Sequence, residues 1–228
     1  SGTLSVIDAE TLQVTDEVQN TDIPLAQPLL NGKRIFNDSS RPELARDHWI
    51  ACATCHFDGE HDGRTWFFAD GPRNSPSLLG VADTPPFHWS GDLDELHDVE
   101  LAVRVTQAGT GLTSGPSNCE PACDQAPSNQ GRSQDLDDLV LYLASLQFEQ
   151  ASTSMSVSAL RGQMLFSSET VGCAQCHIPP TYTDGLRHDV GTGTGPLERK
   201  GKLFDTPSLR GINPVSYTHL TLPTRTRV

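Results

Sequence analysis

Two copies of the pattern Cys-x-x-Cys-His, at Cys52-Ala53-Thr54-Cys55-His56 and Cys173-Ala174-Gln175-Cys176-His177, constrain this chain more than any other feature. Two thiols separated by two residues fall along one edge of a porphyrin and can each add across a vinyl group, while the adjoining imidazole reaches the iron. A thioredoxin-like dithiol or a zinc site would use the thiols but leaves the paired histidines unexplained. The pattern therefore predicts two covalent haems, with Cys52, Cys55, Cys173 and Cys176 as attachment residues and His56 and His177 as proximal ligands.

The motifs sit inside a longer internal repeat. Asn31-Gly32-Lys33-Arg34-Ile35-Phe36 precedes the first and Arg161-Gly162-Gln163-Met164-Leu165-Phe166 precedes the second. Ser75-Pro76-Ser77-Leu78-Leu79-Gly80 follows the first and Thr206-Pro207-Ser208-Leu209-Arg210-Gly211 the second. Shared elements in the same order imply duplicated domains, placed at residues 23–150 and 151–213. Leu136, Leu139, Val140, Leu143 and Leu146 fall at helical spacing behind Ser133 as N-cap, with Asp135 in the first turn, so a helix closes the first domain. Residues 110–132, rich in Ser, Gly, Pro and Asn, read as a surface loop. Cys119 and Cys123 lie in it, and a local disulfide is favoured over metal binding because no His or further Cys lies close by.

Residues 1–22 alternate apolar and polar side chains around a turn at Asp8-Ala9-Glu10-Thr11, which predicts a β-hairpin. It resembles one hairpin of the YVTN-type β-propeller repeat, and an ordinary hairpin is the competing reading. At the other end, Val215 to Thr224 matches the translation of a common sequencing adapter, so residues 214–228 are set aside as non-native.

Hydrophobic residues make up 36% of the 228-residue chain, a small share for a packed protein, and a porphyrin in each core would supply apolar surface. The net charge of -13 repels phosphate backbones and anionic lipid, which argues against nucleic-acid and membrane-surface roles and leaves room for a basic protein partner. No stretch approaches the roughly 20 apolar residues of a membrane span.

The sixth iron ligand decides whether a haem only carries electrons or also admits peroxide. For the first haem, His88, in Pro85-Pro86-Phe87-His88-Trp89-Ser90-Gly91, is either a ligand or distal-pocket group or a structural residue. His61, in a polar run, reads as a solvated loop residue, and His48, His97 and His188 as structural or surface histidines. Met164 reads as core and Met155 as linker, so neither methionine is a convincing ligand for the second haem. His219 stands at the right offset but inside the adapter-like tail.

With these elements assembled, residues 23–213 resemble the di-haem cytochrome c peroxidase / MauG family. The resemblance rests on the two haem motifs, Arg73-Asn74-Ser75-Pro76-Ser77-Leu78, the Trp89-x-Gly91 element and Phe204-Asp205-Thr206-Pro207-Ser208-Leu209-Arg210. It implies a mainly α fold of two class I cytochrome c-like domains with long loops, here preceded by the short β-hairpin. It also implies a peroxide-active first haem with His88, Trp89 and Gln107 in its catalytic region, a second haem that passes electrons, Trp89 between them, and Asn74 near an interdomain Ca²⁺. Hydrogen peroxide as substrate, a small cytochrome or cupredoxin as electron donor and a bacterial periplasmic location follow from the same resemblance and from where c-type haem is assembled. One departure stands out: Gln107-Ala108 is followed by Gly109-Thr110-Gly111-Leu112, without the Glu that manages protons in family peroxidases. The alternatives are an electron-transfer module without peroxidase activity and MauG-like oxidation of a protein side chain.

Overall fold

Helix formation begins where the apolar stripes predict it. In a computed structural model, which describes residues 2–22, 25–148 and 155–210, the first helix, α1 (Gln27–Asn37), opens with Pro28 in its first turn and buries Leu30, Gly32, Ile35 and Phe36. A proline is tolerated there because the first helical N–H groups have no intrahelical acceptor to lose. The helix that closes the first half, Gln134–Ser145, is capped by the Ser133 hydroxyl, which accepts from the Leu136 N–H, and it buries Leu136, Leu139, Val140 and Leu143. These two helices lie against each other, and no side chain separates them at Gly32. A Cβ there would stand 1.9 Å from the Asp138 carbonyl oxygen. Around this crossing Ile35, Phe36, Leu44, Val103, Leu139 and Leu143 form the main core, with Cys52 and Leu78 packed on its edge.

Between α1 and the closing helix the chain makes α2 (Cys52–Cys55), an antiparallel pair of β-strands over Thr65–Phe68 and Gly71–Asn74, and α3 (Val99–Val105). Numbering in chain order after the N-terminal hairpin, β1 (Thr3–Ile7) and β2 (Val14–Gln19), these strands are β3 and β4, and the closing helix is α4. The β3–β4 hairpin is not among the sequence expectations. Thr65, Trp66, Phe67 and Phe68 favour extended backbone, and Gly71 takes φ +117° at the turn, a conformation that costs other residues dearly. The N-terminal hairpin has the expected turn, and Leu4, Val6, Ile7, Val14 and Val18 are exposed on it. Cys119 and Cys123 are disulfide-bonded, as the sequence reading favours.

The second half repeats the order of the first: α5 (Val157–Phe166), α6 (Cys173–Cys176), then a short antiparallel pair, β5 (Arg187–His188) and β6 (Phe204–Asp205). It does not repeat the packing. Among the described residues α5 buries no side chain fully, only Phe166 at its end packs on other rings, those of His177 and Tyr182, and Gly162, the counterpart of Gly32, has no atom within 4 Å of a built Cβ. Met164 is correspondingly 68% exposed, which corrects its reading as a core residue. The expected domain limits at 23, 150, 151 and 213, the tail 214–228 and His219 lie outside the described residues. Among those described, no helix is long and apolar enough to cross a membrane.

Candidate functional site

The first Cys-x-x-Cys turn forms α2, which follows an extended Ala51 and ends at His56. This places Cys52, Cys55 and His56 in the wall of a cavity of about 520 Å³, faced by Phe36, Leu78, Leu93, Leu139 and Leu143. That volume lies within the usual range for small-molecule and cofactor sites. The His56 Nδ1 stands 3.2 Å from the Glu60 carbonyl oxygen. Tying one ring nitrogen to a backbone carbonyl orients an imidazole in the way metal-ligating histidines are oriented. Burial holds its pKa below the ordinary value, against the opposing pull of the Glu60 and Pro76 carbonyls, so the neutral form that binds iron is favoured.

Burial also pushes the Cys52 thiol up to about 11 and raises that of Cys55. Redox-active dithiols show the reverse, a lowered thiol pKa that supplies thiolate. The first motif therefore sets two thiols of raised pKa beside an imidazole, which speaks against disulfide exchange and is compatible with covalent haem attachment.

The second motif repeats the design in a more open setting. Cys173, Cys176 and His177 border a cavity of about 700 Å³, with Val190, Leu197 and Phe204 opposite. The His177 Nδ1 lies 3.0 Å from the Tyr182 carbonyl oxygen, and Phe166 lies 6.5 Å from its ring, centre to centre. Both cavities thus pair two thiols with an imidazole held by one nitrogen, and both fit the same group.

Between the cavities runs a shared wall made of Arg73, Asn74, Trp89 and Asp205, each of which borders both spaces. The Trp89 indole N–H donates to the Asn74 carbonyl oxygen at 2.6 Å, and the Trp89 carbonyl accepts from the Asp205 N–H at 2.9 Å. Arg73 grips Glu198 through both guanidinium nitrogens, at 2.7 and 2.9 Å, and lies 5.6 Å from the centre of the Phe204 ring. One wall therefore holds the two halves together and fixes the orientation of Trp89.

The other predicted residues distribute as follows. His88 borders the first cavity with a left-handed backbone (φ 65°), and its Nδ1 pairs with Asp92 at 3.3 Å. The Gln107 side chain faces the same cavity and reaches the Cys52 thiol, while its buried Oε1 has no hydrogen-bond partner among the described residues. The Asn74 side chain donates to the Arg64 carbonyl and the Thr65 hydroxyl. His61, read as a solvated loop residue, instead lines the first cavity. His188, left as structural or surface, borders the second cavity and pairs with Asp184 at 2.7 Å. His97 pairs with Asp137, and Met155 and Met164 border neither cavity. Arg210 was missed as a site residue. It donates to the Gly80 carbonyl at 2.6 Å and reaches the first cavity from the second half. Its place at the end of the repeated Pro-Ser-Leu element is the only signal that could have found it.

The carboxylate that reaches the glycine-rich loop 109–112 is not available for proton transfer. Glu100 is fully buried and its oxygens accept from Arg104, the Leu112 N–H, and the Thr113 N–H and hydroxyl. It anchors the loop.

No family model matches the chain. Among characterised proteins it is 27% identical over 203 residues to the hydrazine synthase gamma subunit of Kuenenia stuttgartiensis, covering 78% of this chain and 53% of that protein. It is 27% identical over 239 residues to the methylamine utilization protein MauG of Methylorubrum extorquens, covering 83% and 64%. It is also 28% identical over 192 residues to the cytochrome-c peroxidase IdrP2 of Pseudomonas sp. strain SCT, covering 72% and 51%. The chain thus spans between about half and two thirds of the length of these relatives. Its fold is similar to that of Kuenenia stuttgartiensis hydrazine synthase, with a TM-score of 0.63 at 22% identity over 85% of this chain and 74% of that one. A MauG-like protein associated with microbial copper homeostasis superposes with a TM-score of 0.57 at 18% identity over 84% and 69%. The sequence matches make the chain a relative of the di-haem cytochrome c peroxidase and MauG family.

Proposed function

We propose that the chain is a periplasmic di-haem c-type oxidoreductase that reduces peroxide with electrons drawn one at a time from a small cytochrome or cupredoxin. The observation that carries this reading is the shared wall: Trp89 borders both cavities and is fixed between them by hydrogen bonds at its indole N–H and its carbonyl. Bound haem would supply one-electron chemistry at each motif. The chain's own residues hold it and tune its surroundings. The cysteines would tether it, His56 and His177 present oriented imidazoles, and Phe36, Leu78, Leu139 and Leu143 offer it an apolar wall in the first cavity.

His61, His88 and Gln107 gather on the first cavity, which supports that side as the one where substrate binds. The second half, open and less covered, is suited to receiving electrons from a protein donor. Asn74 is a candidate ligand for an interdomain Ca²⁺. The exposed apolar residues of the N-terminal hairpin support its belonging to a larger β unit such as a propeller. The missing Glu after Gln107 favours a second reading, MauG-like oxidation of a protein side chain, in which peroxide is consumed without a small donor.

The test is steady-state oxidation of a reduced small cytochrome by peroxide, run on holoprotein and on Trp89→Phe. The expected result is peroxide-dependent oxidation in the parent and a loss of at least about tenfold in the variant, or about 1.4 kcal/mol of barrier, with both haems still attached. Two permanently low-spin haems with no turnover would make the protein an electron carrier. A stable oxidised state formed by peroxide without donor consumption would support the MauG-like reading.

A further inference from the structure

Asp205 is a carboxyl group that the proposed relay does not use, and it sits where the relay is narrowest. It lies on β6, in register with Arg187, and borders both cavities beside Trp89. Its N–H is spent on the Trp89 carbonyl. Its Oδ1 is buried and has no hydrogen-bond partner among the described residues. A buried carboxylate oxygen without a donor is costly when charged, and the cost is removed by a proton.

The charged and titratable groups around it come from several elements. The turn and strand of β5 bring Asp184, Arg187 and His188, β4 brings Arg73 with its partner Glu198, and the Trp89 loop brings His88 and Asp92. These have other commitments. Asp184 pairs with His188 at 2.7 Å, Arg73 with Glu198 at 2.7 Å and His88 with Asp92 at 3.3 Å, while Arg187 reaches the Ser90 carbonyl at 3.5 Å. No cation is therefore paired with Asp205 among these contacts. Burial, with Asp184 adding to it, pushes its carboxyl up to about 7, against the Thr206 N–H and His188. At that value the group exchanges a proton in the range where a small change of nearby charge decides its state.

We propose that Asp205 is the proton-exchanging group of the electron relay. One electron entering the pair of haem sites from an external one-electron reductant is accompanied by one proton from water onto the Asp205 carboxylate. On re-oxidation the electron leaves to the acceptor and the proton returns to water. The coupling is electrostatic: negative charge added on either side of the wall raises the cost of a second negative charge on the carboxylate. Asp205 acts as a positioning residue for charge and does not bond to iron or substrate. The inference rests on the two-haem reading.

The test is a potentiometric titration of holoprotein across the neutral range, following each haem by its own optical band, for the parent, Asp205→Asn and Asp205→Glu. Haem content is measured on the same samples. The parent is expected to show a midpoint potential that falls as pH rises through neutrality. That slope should vanish in Asp205→Asn and persist in Asp205→Glu. A redox-difference infrared spectrum should show a protonated-carboxyl stretch in the parent that is absent from Asp205→Asn. Two haems per chain with an unchanged slope in Asp205→Asn overturns the role of Asp205 and leaves the two-haem reading standing. Fewer than two haems per chain in the parent overturns that reading, and the inference falls with it.

Discussion

Arg73→Ala is expected to lower the unfolding free energy by about 3 kcal/mol, the scale of breaking a buried ion pair from one side. Arg73 and Glu198 have only 11% and 8% of their side-chain surface exposed, and the two parallel contacts, at 2.7 and 2.9 Å, join β4 of the first half to the loop before β6 of the second. Removing the guanidinium leaves Glu198 with the Arg199 and Lys200 N–H groups alone. It also takes away the cation over Phe204 and a piece of both cavity walls. Arg73→Lys keeps the charge but not the paired geometry, and its loss should be intermediate.

The same pair sets an acid limit. Arg73, ahead of the neighbouring N–H groups, holds the Glu198 carboxyl down to about 2, from an ordinary 4.5. A depressed carboxylate pKa contributes stability that is complete above the unfolded value and is lost as pH falls through the folded one. Urea midpoints measured between pH 7 and pH 2 should therefore fall between about pH 4.5 and 2, and that fall should be shallower in Arg73→Ala. Equal pH dependence in parent and variant would remove the pair from this role.

Gly32→Ala should cost about 3 kcal/mol, while Gly162→Ala should be neutral or stabilise by about 0.5–1 kcal/mol. The first Cβ would lie 1.9 Å from the Asp138 carbonyl oxygen and 2.8 Å from the Tyr142 Cβ, so α1 and α4 must separate along their whole crossing. The second meets nothing within 4 Å and replaces the poorest ordinary helix former with the best. Two residues in matching places of an internal repeat thus give opposite signs. Urea unfolding of the two variants checks this directly, and similar losses in both would mean that α5 is covered as α1 is.

The parts of the fold legible in the sequence are those with a strong local signal. The hairpin around Asp8, the helix behind Ser133 and the Cys119–Cys123 bridge each follow from a turn, a cap or a spacing that works within a few residues. The two Cys-x-x-Cys-His turns are legible for the same reason, because each short spacing folds as one helical turn ending at its histidine. What escaped depends on long-range placement. His61 and His188 sit in polar stretches that look solvated, and only the tertiary fold brings them to the two cavities. Arg210 and Asp205 gain their interest from what they meet across the two halves, 130 residues away at Gly80 and 116 at Trp89. Met164 has the pattern of a core residue, yet its burial depends on a covering element and not on its own helix.

The central claim is that each thiol pair carries a porphyrin, with the adjoining imidazole on its iron. Intact-protein mass and Soret absorbance of protein made in a cytochrome-maturing host test it most directly. The account predicts a mass increment of two haems in the parent and of one in each of the double variants Cys52→Ser/Cys55→Ser and Cys173→Ser/Cys176→Ser. An apoprotein mass without Soret absorbance in the parent would contradict it.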